Sequence, residues 1–184
     1  MSGYACGQPE PTEDRSIMVP EVNAKNHLPA DEAFMREALL EAKLAAADGE
    51  VPVGAILVRD NTIVARGRNA RERQQDPTAH AELIVIGQAA GQLQSWRLTG
   101  TTLYVTLEPC LMCAGAMLQA RIPRLVFSAW DPKAGACGSL FTLHEDARLN
   151  HQIAVTSGVL ENESRDLLQR FFQRLRQDQP AAMN

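Results

Sequence analysis

Cysteine is scarce in this chain, with four in 184 residues. That is too few for the disulfide framework of a small secreted domain. No apolar run approaches the ~20 residues needed to span a membrane. The first residues lack a basic start followed by an apolar stretch, so no secretory signal is expected. These absences point to a cytoplasmic protein that stays off the membrane. Positive charge is not in excess either: 18 basic residues face 22 acidic ones, a net charge of −4. Bulk charge therefore excludes a polybasic, histone-like nucleic-acid protein, but leaves room for a local basic surface. Lysine is nearly missing, with 3 against 15 arginines. No internal repeat is found.

What remains is the composition of an ordinary globular domain, 45% hydrophobic and 22% charged. A single domain of this length buries roughly 70% of its extended-chain surface. Residues 1–28 differ from the rest. They hold three of the ten prolines and show no sustained periodicity, so a disordered extension is expected there. Cys6 and His27 fall in it and are assigned no chemistry. The folded domain is expected over residues 29–184.

A helix is predicted from Asp31, taken as its N-cap, through Phe34, Met35, Ala38, Leu39, Ala42 and Ala46, with Gly49 as the stop. Val53–Val58 and Thr62–Arg68 read as a hairpin turned at Arg59-Asp60-Asn61. Asp76-Pro77-Thr78 reads as a helix start for the segment Ala79–Ala90. Thr102–Leu107 is a buried strand by its β-branched and aromatic content. A helix follows from Pro109 to about Gln119, with proline in its first turn. Leu125–Ala129 is a strand, 130–139 a Gly-rich loop and Gln152–Thr156 a short strand. Glu161–Gln177 forms an amphipathic last helix. This alternation indicates an α/β fold with helices on both faces of the sheet.

Three short pieces carry the chemistry: His80-Ala81-Glu82, Pro109-Cys110 and Cys113. The C-x-x-C pair alone fits a redox couple, half of a structural zinc site, or two buried cysteines. A lone histidine on a helix is more often structural than a ligand. Together they supply two thiolates and an imidazole, the donors zinc prefers in tetrahedral geometry. A structural site needs a fourth protein ligand, and the other cysteines, Cys6 and Cys137, are poorly placed for it. Three ligands and an open fourth position match a catalytic zinc. Glu82 lies two residues after His80, at a different azimuth, where it can move protons for an activated water instead of binding the metal. The combined H-x-E…P-C-x-x-C signature is that of zinc nucleobase deaminases.

Over about Asp31–Gln177 the sequence resembles the bacterial tRNA-specific adenosine deaminase family. The matching stretches are Glu50-Val51-Pro52-Val53-Gly54, residues 76–82 (DPTAHAE), 102–117 (TLYVTLEPCLMCAGAM), 134–140 (AGACGSL), Asn150-His151, and Phe171-Phe172 followed by RLR. The resemblance implies a three-layer α/β/α sandwich of the cytidine deaminase-like kind, with a central mixed sheet of about five strands. It implies a homodimer with one zinc per subunit, and conversion of the wobble adenosine of a tRNA anticodon stem-loop to inosine. His80, Cys110 and Cys113 would be the zinc ligands and Glu82 the proton shuttle. The Ala81 N–H and Asn69 would meet the flipped base, Asp131 and Lys133 the nucleotide backbone, and Phe171 and Phe172 the anticodon loop. Two places depart from the family pattern: Arg68 with Ala70-Arg71 around Asn69, and Trp130 before Asp131.

The residues lend RNA binding partial support. Positions 59–73 carry five arginines against two acids, and the last helix carries Arg165, Arg170, Arg174 and Arg176. Arginine binds phosphate bidentately and stacks on bases. Adjacent Phe171 and Phe172 point ~100° apart on a helix, so one is expected in the core and one outward. His144 and His151 are expected to be structural or substrate-side. Two other readings stay open: a deaminase of a free base or nucleotide, of guanine or deoxycytidylate type, and a zinc-stabilised RNA-binding protein without activity.

Overall fold

The computed structural model describes residues 29–178. The expected disorder of residues 1–28, together with Cys6 and His27, lies outside the described residues. Helix α1 (Pro29–Ala47) leads into a hairpin of β1 (Gly54–Arg59) and β2 (Thr62–Arg68). A one-turn helix α2 (Arg71–Gln74) and helix α3 (Ala81–Leu93) follow. Then come β3 (Thr101–Leu107), α4 (Leu111–Gln119), β4 (Arg124–Ala129), β5 (Ala154–Thr156) and α5 (Glu161–Asp178). The strands form one mixed sheet in the order β2-β1-β3-β4-β5. β1 pairs antiparallel with β2 and β3, while β3–β4 and β4–β5 are parallel.

Alternation along the strands builds the layers, because successive side chains point to opposite faces. Leu57, Leu103, Val105, Leu125 and Phe127 face a core closed by Val85 and Ala89 of α3 and Ala114 and Met117 of α4. Ile56, Val58, Tyr104 and Val126 face the other way, against Met35, Ala38 and Leu39 of α1. α5 packs on that second side, where Ser164 Oγ donates to the Thr106 carbonyl at 2.5 Å. Small residues set the depth of the α1 contact. A Cβ on Gly54 would stand 2.2 Å from the Ala38 carbonyl oxygen, so only glycine lets helix and strand approach this closely.

The hairpin turn falls where expected, with Asp60 and Asn61 at φ 49° and 57° and Arg59 opposite Thr62. That pair of left-handed residues is what a two-residue hairpin turn requires. Three expectations are corrected. Asp31 is not the N-cap of α1. It lies inside the first turn, 1% exposed, and accepts from Tyr104 Oη at 2.9 Å and from both Arg124 Nη atoms at 2.8 and 2.9 Å. Asp76-Pro77-Thr78 does not start a helix. Asp76 Oδ1 takes the Thr78 N–H at 2.8 Å in a local turn, and α3 begins only at Ala81. Pro109 is not in the first turn of α4 but precedes the N-cap residue, Cys110, which is extended at φ −75°, ψ 174°. α2 has no counterpart among the expected elements, because one turn is too short to show periodicity.

Candidate active site

The site lies beyond the C-terminal ends of the parallel strands β3 and β4, where ligand crevices of α/β sheets form. Two helix N-termini converge there. His80 is the N-cap residue of α3 and Cys110 that of α4, with Cys113 in the first turn of α4. The positive ends of both helix dipoles therefore favour thiolate over thiol at this point. His80 Nδ1 stands 3.8 Å from Cys110 Sγ and 3.5 Å from Cys113 Sγ, and all three donor atoms lie within 4.8 Å of one another. In a tetrahedral zinc site, Zn–S bonds of about 2.3 Å and Zn–N bonds of about 2.0 Å put neighbouring donors about 3.5–3.8 Å apart. The donor set and its spacing thus fit zinc. Among the described residues no fourth histidine, cysteine or carboxylate joins the cluster.

Hydrogen bonding from the Cys113 thiol pulls Cys110 down to about 3. The same hydrogen bond, with burial, pushes Cys113 up, and the one to Cys110 raises His80. The two sulfurs thus compete for one proton, which a divalent cation displaces on binding. Glu82 is 4% exposed and packs against the Cys113 thiol. Burial is the main cause that pushes its carboxyl group up, as suits a group that accepts and returns protons near neutral pH.

A cavity of about 220 Å³ opens onto His80 and Cys110 of the triad. Of the expected substrate contacts, Asn69, Ala81 and Asp131 line it beside Glu82. Ala81 is the first residue of α3, so its N–H has no intrahelical acceptor. Lys133 is exposed on the same loop as Asp131 but is not part of the lining. Phe171 is 7% exposed and Phe172 42%, one ring in and one ring out, and neither lines the cavity.

The structure adds residues that composition and spacing did not single out. Arg71, on α2, lines the cavity. Glu108 is 2% exposed and gathers the 130–139 loop. Its carboxylate accepts the N–H groups of Asp131 at 3.0 Å, Cys137 at 2.9 Å and Ser139 at 3.0 Å. Its sequence signals were its place next to Pro109-Cys110 and within the matching stretch 102–117; nothing local reveals that its partners come from a loop more than twenty residues on.

Several side groups resolve as structural. Burial pushes the Cys137 thiol up to about 12. His151 Nε2 meets the Ile122 carbonyl at 2.8 Å, and His144 Nδ1 is buried with no hydrogen-bond partner among the described residues. Arg68 is held by Asp48 at 3.0 Å and Glu41 at 3.3 Å, so this departure from the family pattern is anchored to α1. Trp130 packs edge-on against Phe127 with ring centroids 4.8 Å apart.

A mixed five-stranded sheet, a His-Cys-Cys triad at two helix N-termini and a buried glutamate beside them define a zinc-dependent deaminase of the cytidine deaminase-like fold. Residues 28–129 match the cytidine and deoxycytidylate deaminase zinc-binding region. The tRNA-specific adenosine deaminase of Bacillus subtilis is 52% identical over 152 residues, covering 83% of this chain and 94% of that protein. The enzyme of the same name from Haemophilus influenzae is 52% identical over 149 residues, covering 80% of this chain and 86% of the relative. A structure solved in a study of A-to-I editing by tRNA:A34 deaminases superposes with a TM-score of 0.72 at 46% identity, covering 74% of this chain and 99% of that one. A guanine deaminase from Nitrosomonas europaea, at 24% identity and a TM-score of 0.69, shares the fold; it covers 79% of this chain and 86% of its own. The chain belongs to the tRNA-specific adenosine deaminases, within the cytidine and deoxycytidylate deaminase family. It is a zinc enzyme, and no described helix is long and apolar enough to cross a membrane.

Proposed function

We propose that this enzyme hydrolyses the wobble adenosine of a tRNA anticodon loop to inosine. The observation that carries the reading is Glu82, buried against the zinc triad at a cavity open to an incoming base. Relatives named for this activity at 52% identity support it. In the reaction a water oxygen bonds to C6 of adenine, the bond from C6 to the amino nitrogen breaks, and ammonia leaves. Zinc held by His80, Cys110 and Cys113 supplies Lewis acidity, which makes water nucleophilic near neutral pH. Glu82 takes up the two protons of the water in turn and returns one to ring N1 and one to the departing amino nitrogen, which leaves inosine and ammonia. Asn69 and the Ala81 N–H hold the base, and Asp131 fixes the nucleotide at the cavity wall.

Lys133 and Phe172 stand outside the cavity, where a stem-loop extends beyond the flipped nucleotide. Arg170 and Arg174 of α5 are exposed and suited to its phosphates. The decisive experiment offers the zinc-loaded enzyme an anticodon stem-loop and, separately, free adenosine, guanine and deoxycytidylate. Inosine at the wobble position of the stem-loop, with ammonia, is expected. Turnover of a free base with none of the stem-loop overturns the reading.

The enzyme acts as a homodimer in this proposal. Leu111 and Met112 at the start of α4, and Leu140 and Phe141 at the end of the loop bridged to Cys110, are all exposed. A second copy would cover this apolar surface beside each site. Light scattering at micromolar concentration tests it; a monomer with full activity on the stem-loop refutes it.

A further inference from the structure

Glu50 is 1% exposed, in the turn between α1 and β1. Three N–H donors surround its carboxylate. Oε2 accepts from Asn69 Nδ2 at 3.2 Å and from the Glu72 backbone at 3.3 Å, and Oε1 accepts from the Arg73 backbone at 2.8 Å. Glu72 and Arg73 are the second and third residues of α2, whose N-cap position holds Ala70. Alanine has no oxygen to cap a helix, and one turn of helix does not hold by itself. Glu50 therefore supplies the cap from a distant part of the chain, and so fixes the helix that carries Arg71 to the cavity.

Its grip on Asn69 has a chemical direction. A carboxylate only accepts, so it holds Asn69 by its Nδ2 group and forbids the flipped amide, which would set Oδ1 against Oε2. Asn69 is 6% exposed and lines the cavity, and its Oδ1 accepts no hydrogen bond among the described residues.

We propose that Glu50 is a positioning residue, which fixes the hydrogen-bonding face that Asn69 shows to the substrate base and seats Arg71 beside it. The proposal rests on the reading of Asn69 as a base contact. Glutamine at position 50 keeps the shape but has one acceptor oxygen in place of two. With its NH₂ group at the Oε1 position it meets the Arg73 N–H and loosens α2; with it at the Oε2 position it meets Asn69 Nδ2, a conflict relieved by turning Asn69 over. The base then meets a donor where it met an acceptor.

The test is a cycle of variants assayed for inosine formation on the anticodon stem-loop, with zinc content and melting temperature measured on each. Glu50→Gln is expected to keep its zinc and to lower kcat/KM about 10- to 100-fold, mainly through KM, as befits a hydrogen bond to a charged group. Added to Asn69→Ala with Arg71→Ala, it should cost under about threefold, because the groups it positions are gone. A merely structural glutamate would cost the same in both backgrounds. Normal kcat/KM in Glu50→Gln, with Asn69→Ala impaired, overturns the positioning role alone; so does a full loss that persists in the double-variant background. An unimpaired Asn69→Ala overturns the base contact and this proposal with it. Should Glu50→Gln fail to fold, Glu50→Asp keeps the charge but draws the carboxylate back by one bond length, and the same coupled loss is expected.

Discussion

Replacing Glu82 by glutamine isolates proton transfer from metal binding. Glu82 is 4% exposed, so truncation to alanine would open a hole beside the triad, whereas glutamine keeps the volume. The three donors His80, Cys110 and Cys113 are untouched, and zinc should remain at about one per chain. Burial already pushes the Glu82 carboxyl group up, so the neutral amide suits the same surroundings. Losing a general acid–base group typically costs about 10²–10⁴ in rate. At about 1.36 kcal/mol per decade this is roughly 2.7–5.4 kcal/mol of barrier. One carboxylate serves both the proton leaving water and the proton reaching the amine, so the upper end is expected. The assay is single-turnover inosine formation with enzyme in excess over the stem-loop, paired with zinc content and RNA affinity at fixed salt. Affinity should change little, since binding rests on other groups. A Glu82→Gln enzyme within tenfold of the parent rate, zinc intact, would refute the shuttle.

Asp31→Ala should lower stability by about 3–5 kcal/mol in urea titrations, the usual cost of removing one partner of a buried ion pair; it strips Arg124 and Tyr104 of the carboxylate that ties α1 to β3 and β4. Arg170→Ala and Arg174→Ala should weaken stem-loop binding with zinc unchanged, and each should flatten the slope of log K against log salt by up to about 0.7–0.9. A slope equal to the parent's would remove those arginines from the interface. Cys137, 2% exposed and with its thiol pushed up to about 12, should resist alkylation in the folded enzyme at pH 8, and Cys137→Ala should keep its zinc. Rapid labelling of Cys137 in the native state would contradict its placement.

The sequence by itself determined most of the architecture and the metal site. Strand alternation at Ile56-Leu57-Val58 and Leu125-Val126-Phe127 assigns each side chain to a layer, because the pleat has a period of two. The His80, Cys110 and Cys113 donors are legible because zinc chemistry restricts both residue type and local spacing, and Glu82 follows from its offset. Helix starts were less legible. Asp31, Asp76 and Pro109 each carry a starting signal that the folded chain puts to another use: a long-range ion pair with Arg124, a local Asx turn, and a carbonyl that takes the Ala136 N–H at 2.8 Å. Only the tertiary structure decided what Glu50 and Glu108 do. Each lies in a stretch that matches the family, but its hydrogen-bond donors lie 19 to 31 residues away. Local pattern cannot record such partners, since hydrogen bonds of this range exist only once the chain has closed its loops. The walls of the cavity therefore belong to the fold, and its floor was already written in the motif.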